Sequence, residues 1–385
     1  MLEILFWVCM AVIVYTYLGY PVLLIAVRDV FRKNRKINHW MEELPHVDIL
    51  IVAYNEEKVI GRRVKNCLEF DYPVDKLNVW VVSDGSKDST NEIVRQYASQ
   101  DKRVHLIELE RTGKSGAINK VILSLTGDIT VFSDANTEFE LDAVKILVRY
   151  FQDKAVGCVC GRLIYRNPGG VISGKGESMY WRYETVLKKL ESDFGYVCGA
   201  NGAIYAIRRE LFEPLPPGTI NDDFTISMKI VEKGYQCLYE ENAVAYEEIA
   251  LTMQSEFKRH IRDGAGHYIA ITYLLGLLNL FLGVRSFVYW SHRILRWVVP
   301  FILIVAFLIN ALMLDKPFYQ VFFILQCLFY SLAVVGLWTA QYKIMPFVFY
   351  VPFYFCGFNT ALFIGFLKAV FGQQNTAWER TERAI

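Results

Sequence analysis

The sequence predicts an α/β protein in which a mostly parallel sheet, with helices on both faces, sits between apolar segments long enough to cross a bilayer. Two observations carry this. From His46 onward, short β-like runs alternate with amphipathic helical stretches, the pattern of strands buried under crossover helices. With 54% hydrophobic and 15% aromatic residues among 385, the composition is too apolar for an ordinary soluble domain, so part of the chain must face lipid. Charges nearly cancel, 41 Lys and Arg against 40 Asp and Glu for a net +1. The basic clusters Arg28, Arg32, Lys33, Arg35, Lys36 and Arg285, Arg293, Arg296 lie beside apolar runs. That placement fits membrane flanks, and no nucleic acid is expected as a partner.

Residues 1–28 read as an N-terminal transmembrane anchor. Ile4 to Val27 exceeds the roughly 20 residues a spanning helix needs, and its charge follows the run, where a cleaved leader carries it in front. The basic linker 29–45 places the following domain on the cytosolic side. In that domain, 46–250, Val47–Val52 reads as a buried strand, Glu56–Phe70 as a helix, Leu77–Val82 as a strand and Ser89–Tyr97 as a helix. Strand Val104–Leu109, helix Ser115–Ser124 and strand Ile129–Phe132 complete the alternation. The eight cysteines are scattered. Cys158 and Cys160 would share one strand face as core thiols, and no disulfide framework is implied.

Residues 251–295 read as interface helices, with Met253–Leu282 basic and then apolar. Two spans, Trp297–Leu314 and Phe318–Ala340, open a C-terminal membrane region at 296–371. The stretch 344–371 is interrupted by Pro346, Pro352 and Gly357. It is expected to be interfacial or re-entrant, because a full further crossing would leave the charged tail 372–385 outside.

The polar motifs fall at predicted strand ends, where ligands of such sheets collect. Ala53-Tyr54-Asn55-Glu56 follows the first strand and opens the first helix, aiming free N–H groups and the helix dipole over the sheet. Asp84, in Ser83-Asp84-Gly85-Ser86, is placed to accept hydrogen bonds from a base or ribose, or to serve as a turn aspartate. Arg111-Thr112-Gly113-Lys114 offers a Gly-Lys pair without full P-loop spacing. Asp134-Ala135-Asn136 presents two oxygen-bearing side chains two residues apart, a pair that suits a hard divalent cation completed by phosphate and water. Gly199-Ala200-Asn201-Gly202-Ala203 is a small-residue turn that lets backbone approach a ligand. Asp222 and Asp223 are either N-terminal acids favoured by the helix dipole or a pair in which one carboxyl is raised into the range of a general base. Trp181, Tyr183 and Glu184 either line an acceptor groove or belong to core packing.

From about His46 to Gly266 these motifs, in this order, resemble glycosyltransferase family 2, with flanking membrane elements like those of its polysaccharide-synthase branch. The resemblance implies a GT-A fold, Rossmann-like with a mostly parallel sheet, and inverting transfer from a nucleotide-sugar, with uridine the expected base. It assigns Ala53 to Glu56 to the loop beneath the nucleotide, Asp84 to the base and Lys114 to the diphosphate. Asp134 and Asn136 take the place of the metal-binding Asp-x-Asp, for Mn²⁺ or Mg²⁺, with the second acid changed. Asp223 is the catalytic base, with Asp222 in place of the preceding glutamate. Processive synthases carry Gln-x-x-Arg-Trp where Arg259-His260-Ile261-Arg262-Asp263 stands here, so Arg262 is kept near the diphosphate while Gln and Trp are lost. Trp378-x-x-Thr381-x-Arg383 has the spacing of the gating loop that covers the nucleotide in cellulose synthases. Trp181, Glu184, Gly199 and Asn201 are the expected acceptor side.

The expected function is transfer of a hexosyl or N-acetylhexosaminyl group to a membrane-associated or lipid-linked glycan acceptor in cell-surface or exopolysaccharide synthesis. The expected location is the plasma membrane, as an integral protein with its catalytic domain cytosolic. The alternatives are a processive synthase that extrudes its polymer and a non-catalytic sugar-nucleotide-binding regulator. Three spans and a re-entrant segment make a thin polymer channel, and retention of Asp134, Asp223 and Arg262 together disfavours the regulator. Oligomeric assembly is left open.

Overall fold

The computed structural model describes residues 1–31, 43–166, 172–248, 253–341 and 346–373. Their strands are β1 (Val47–Ala53), β2 (Leu77–Asp84), β3 (Val104–Leu109), β4 (Ile129–Asp134), β5 (Glu138–Phe139), β6 (Val156–Arg166), β7 (Tyr205–Arg208) and β8 (Gln236–Glu248). They form one sheet in the order β3-β2-β1-β4-β7-β6-β8-β5. β3, β2, β1 and β4 run parallel, so their carboxyl ends share one edge. β7 runs antiparallel to both β4 and β6, whereas β6 and β8 are parallel.

The two-residue period of the strands divides their side chains between two cores. Val47, Ile49, Ile51 and Ala53 of β1 pack with Ile60, Val64 and Cys67 of the helix Ile60–Leu68. Leu50 and Val52 point the other way, joining Ala117, Ile118 and Val121 of the helix Lys114–Val121 and Phe224 of the helix Asp222–Glu232. Cys158 and Cys160 lie together in this second core, and all eight cysteines are free thiols. The one charge inside β1, fully buried Asp48, is satisfied four times over. It accepts from Gly127 N at 2.6 Å, Thr126 N at 2.8 Å, and Asn78 Nδ2 and Trp80 Nε1 at 3.0 Å each, tying β1 to β2 and to the turn before β4.

Four helices, Leu2–Val30, Val284–Ala311, Pro317–Thr339 and Val348–Val370, are long and apolar enough to cross a membrane. The first two contain π-helical turns, Tyr15–Gly19 and Trp290–Ile294, which meet through Tyr15 Oη and Ser291 Oγ at 2.9 Å. The second helix begins at Val284, upstream of the expected Trp297. Its arginines are not solvated flanks, because acceptors on neighbouring elements take them up: Arg293 donates to the Cys198 carbonyl, Arg285 to that of Glu232, and Arg296 to Glu184. The stretch expected to be re-entrant contains one unbroken helix, Phe347–Val370, which passes through Pro352 and Gly357. Its neighbours hold it: Gly336 has no side chain to block Phe353, whose Cβ would lie 2.8 Å from a Cβ added there.

Helix Met253–Tyr273 lies along this last helix. A Cβ on Gly365 would meet the backbone of Ala265 at 2.7 Å and of Gly264 at 2.9 Å, so only glycine permits the approach. The His260 and Phe358 rings, 4.5 Å apart, extend the same contact.

Replacing Asp48 strands four donors at the root of the sheet. Asp48→Ala is expected to destabilise the domain by about 2–4 kcal/mol, read as a lower melting temperature of the detergent-solubilised protein; an unchanged melting temperature would show that the donors are satisfied without the carboxylate.

Candidate active site

The carboxyl edge of the parallel strands opens into a cleft of about 310 Å³. At the β2 end, buried Asp84 accepts from Thr112 N at 2.6 Å, Gly113 N at 2.9 Å and Arg111 Nη1 at 2.9 Å. Its carboxylate therefore organises the turn after β3. Gly113, at φ +81°, then leads directly into the helix that begins with Lys114. The Arg111 guanidinium lies 3.4 Å from the centroid of the Tyr54 ring, giving the cleft a flat wall beside Asp84.

At the centre, Lys114 Nζ contacts Asp134 Oδ1 at 2.9 Å and Asp222 Oδ2 at 3.3 Å. Burial works against the ammonium charge, but Asp134 and Asp222 outweigh it and raise the lysine's pKa. Asp223 is pushed up to about 6, by burial first and by the adjacent Asp222 next, with Lys114 opposing. Asp222 is raised as well, by burial first. The helix dipole at this N-terminus favours charge on both acids, so burial prevails over it. Phe224 N donates to Asp223 Oδ1 at 2.8 Å and fixes the carboxylate. A Cβ on Gly202 would stand 3.3 Å from Asp223 Oδ2, so the small-residue turn keeps that oxygen accessible.

Because β5 pairs with β8, Asn136 is brought to Glu247, whose Oε1 accepts from Asn136 Nδ2 at 3.1 Å. Helix Met253–Tyr273 covers another side with Arg259, His260, Arg262 and His267. Asn221 Nδ2, donating to the Asp263 carbonyl at 3.0 Å, ties this helix to the turn that carries Asp222 and Asp223. Arg262 pairs with Asp263 at 3.2 Å. His267 stacks on Trp297 at 5.0 Å, and burial followed by the charge of Arg293 pushes its pKa down to about 3, leaving a neutral ring. Helix Ile172–Phe194 contributes Trp181, Glu184 and Lys188. Burial would raise the Glu184 pKa, but Arg296, His292 and Arg293 hold it well below the usual carboxylate range.

Of the residues singled out in the sequence, Tyr54, Asp84, Lys114, Asp134, Asn136, Trp181, Glu184, Asn201, Asp222, Asp223 and Arg262 line this one cleft. Ala53, Asn55, Glu56 and Gly199 do not. The loop after β1 is not the open start of a helix: its helix begins at Ile60, and Asn55 has φ +54°. The N–H groups of Asn55, Glu56 and Glu57 are taken by Ser86, Thr90 and Asp88 at 3.1, 2.9 and 3.1 Å, so they are not free for a ligand. Gly199, at φ +96°, admits the Phe224 ring, which a Cβ would meet at 2.6 Å. Trp378, Thr381 and Arg383 lie outside the described residues. Arg111, Glu247, His267 and Arg293 also line the cleft. Arg111 stood in the Gly-Lys turn and Arg293 in the basic cluster beside an apolar run, whereas Glu247 and His267 had no local signal.

Among the described residues no cluster of three or more His, Cys, Asp or Glu side chains could by itself hold a metal ion. The donor set nevertheless suits one that is completed by phosphate and water. Asp134 and Asp222 face one cation position, Asn136 lines the same cleft, and buried Asp222 Oδ2 makes no hydrogen bond.

Residues 48–215 match the model of Glycosyl transferase family 2. A relative from Bacillus subtilis (strain 168), described as "Probable glycosyltransferase YdaM", is 26% identical over 264 residues, 64% of this chain and 62% of its own. The beta-monoglucosyldiacylglycerol synthase of Trichormus variabilis is 27% identical over 212 residues, 53% of this chain and 45% of its own. The chain thus spans less than two thirds of the length of either relative. The mannosyltransferase PcManGT from Pyrobaculum calidifontis, solved with GDP-Man and Mn²⁺, superposes with a TM-score of 0.69 over 96% of this chain and 99% of its own, at 22% identity. The matched segment contains the strands that deliver Asp84, Lys114 and Asp134 to the cleft, so residues 48–215 form a glycosyltransferase family 2 domain, and the domain has a GT-A fold.

Proposed function

We propose that the chain is a membrane-bound inverting glycosyltransferase that moves a sugar from a nucleoside diphosphate sugar, with uridine the favoured base, to an acceptor held at the membrane. The observation that carries this reading is the position of Asp223, a carboxylate with its pKa pushed up to about 6, in the same cleft as the Lys114–Asp134 pair. A general base works best near the ambient pH, and an ammonium beside it suits a leaving diphosphate. A lipid acceptor is supported by the four apolar helices and by the glucosyl-lipid product for which the Trichormus relative is named.

The donor lies with its base toward Tyr54, Arg111 and Asp84 and its diphosphate toward Lys114 and Arg262. Asp223 takes the proton of an acceptor hydroxyl as that oxygen bonds to the anomeric carbon. The bond from the anomeric carbon to the diphosphate oxygen breaks, and its electron pair leaves with the nucleoside diphosphate. Attack opposite the leaving group inverts the configuration, and a single base suffices, whereas hydrolysis with inversion needs two carboxylates spaced for a water. Asp134, Asn136 and Asp222 would hold Mn²⁺ or Mg²⁺, which supplies charge neutralisation on the departing phosphate. Trp181, Glu184 and Asn201 border the acceptor side, with the catalytic domain cytosolic and the protein in the plasma membrane.

Purified protein with Mn²⁺ or Mg²⁺ should release nucleoside diphosphate from a UDP-sugar or GDP-sugar in the presence of membrane lipid extract; no release from any common donor would sink the reading. Asp223→Asn is expected to lower kcat by about 10²–10⁴-fold while nucleotide affinity stays nearly intact; equal loss of both, by calorimetric titration, would assign Asp223 to binding or folding. As a raised carboxylate, Asp223 is charged and able to accept a proton only above its pKa, so kcat should climb with pH through about 6. Asp222→Asn removes the neighbouring negative charge and should move this acid limb to lower pH; an unmoved limb would mean that another group titrates.

A further inference from the structure

Lys114 is held at its backbone by hydrogen bonds on either side and at its tip by ion pairs. Gly113 N, just before it, is fixed on Asp84 at 2.9 Å, and Ser115 Oγ, just after it, donates to the Thr219 carbonyl at 2.7 Å. Between these anchors only the lysine side chain is left to move, on four rotatable carbons, and it is 26% exposed on the cleft side. Its ammonium stands 2.9 Å from Asp134 and 3.3 Å from Asp222, on the two carboxylates that the proposed cation would need. An ammonium and a divalent ion cannot share that position, because each repels the other and both draw on the same oxygens.

We propose that Lys114 is a tethered counter-ion whose removal by the donor's diphosphate opens the carboxylates to the divalent ion, making metal binding conditional on a nucleoside diphosphate. This rests on the donor chemistry proposed above and deepens it. The diphosphate offers the ammonium new anionic partners, and Asp134 and Asp222, relieved of their counter-charge, would then be available to hold the ion. Without the nucleotide, the acids keep the lysine and the ion competes poorly. With it, the cleft assembles donor and metal together, and Asp223 never meets a metal-loaded site that lacks a donor.

Electron paramagnetic resonance titration of Mn²⁺ tests this without turnover, on the full chain in detergent, with UDP or GDP and with no nucleotide. The wild type is expected to bind Mn²⁺ weakly alone and about tenfold or more tightly with either nucleotide. Lys114→Gln should tighten nucleotide-free Mn²⁺ binding about tenfold and shrink the nucleotide's added effect, whereas Lys114→Arg, keeping the charge, should behave as the wild type. Lys114→Met serves as a second neutral variant, and melting temperatures show which variants fold. A folded neutral variant that binds nucleotide-free Mn²⁺ no better than the wild type overturns the inference while leaving the donor site standing. A wild type that binds Mn²⁺ equally with and without nucleotide overturns it by itself. Mn²⁺ binding in no protein, with either nucleotide, brings down the metal-assisted donor reading and this inference with it.

Discussion

The cleft edge of this protein depends on one electrostatic constraint: three carboxylates, Asp134, Asp222 and Asp223, must occupy a single cleft. Packed together without compensation they would repel and take up protons. The Lys114 ammonium, in contact with the first two, is what lets them coexist. The third, with burial and Asp222 against it, is left with the raised pKa that suits a base. The pairing of the first two acids and the raised pKa of the third are thus consequences of the same charge balance.

That balance requires the lysine's backbone to be placed accurately, and the fold achieves this with another acid. Asp84 gathers two backbone N–H groups and a guanidinium of the 111–113 turn, and glycine at 113 supplies the positive φ that turns the chain into the helix. The loops after β1 and β2 are clamped to each other through Ser86, Asp88 and Thr90. Backbone groups there are spent on holding loop to loop, so that side of the cleft is lined mainly by side chains, among them Tyr54, Arg111, Lys114 and Arg262.

Much of this was legible in the sequence. The β1, β2, β3 and β4 runs and their helices announce themselves by short buried strands alternating with amphipathic segments, and Asp84, Lys114 and Asp134 fall at their ends because parallel strands deliver residues there. Asp222-Asp223 was visible as a pair in which one carboxyl is raised by the other, but the larger cause is burial, which periodicity does not report. Glu247 could not be found, since it reaches Asn136 only through the antiparallel pairing of β5 with β8. The loop at 53–56 misled because a polar run after a strand looks like a helix start, and only the partners from the β2 loop show that its donors are occupied. Prolines made 347–370 look broken, yet packing against Gly264, Gly336 and their neighbours keeps that helix continuous.

The same limit explains Glu184 and the arginines of the second apolar helix. In the sequence, Arg293 and Arg296 look like charges at a membrane boundary, and Glu184 looks like a candidate acceptor contact. In space they belong to one buried network. His292 Nδ1 meets Glu191 at 2.6 Å and its Nε2 lies 3.3 Å from Glu184, Tyr20 Oη donates to Glu191 at 2.8 Å, and both arginines turn onto Glu184. Breaking a buried pair of this kind by removing one partner typically costs about 3–5 kcal/mol, because the remaining charge is left uncompensated. The network therefore acts as a rigid joint between the N-terminal helix, the helix that carries Trp181, and the second apolar helix. Since Glu184 and Arg293 also line the cleft, the joint connects the carboxyl edge of the sheet to the apolar helices.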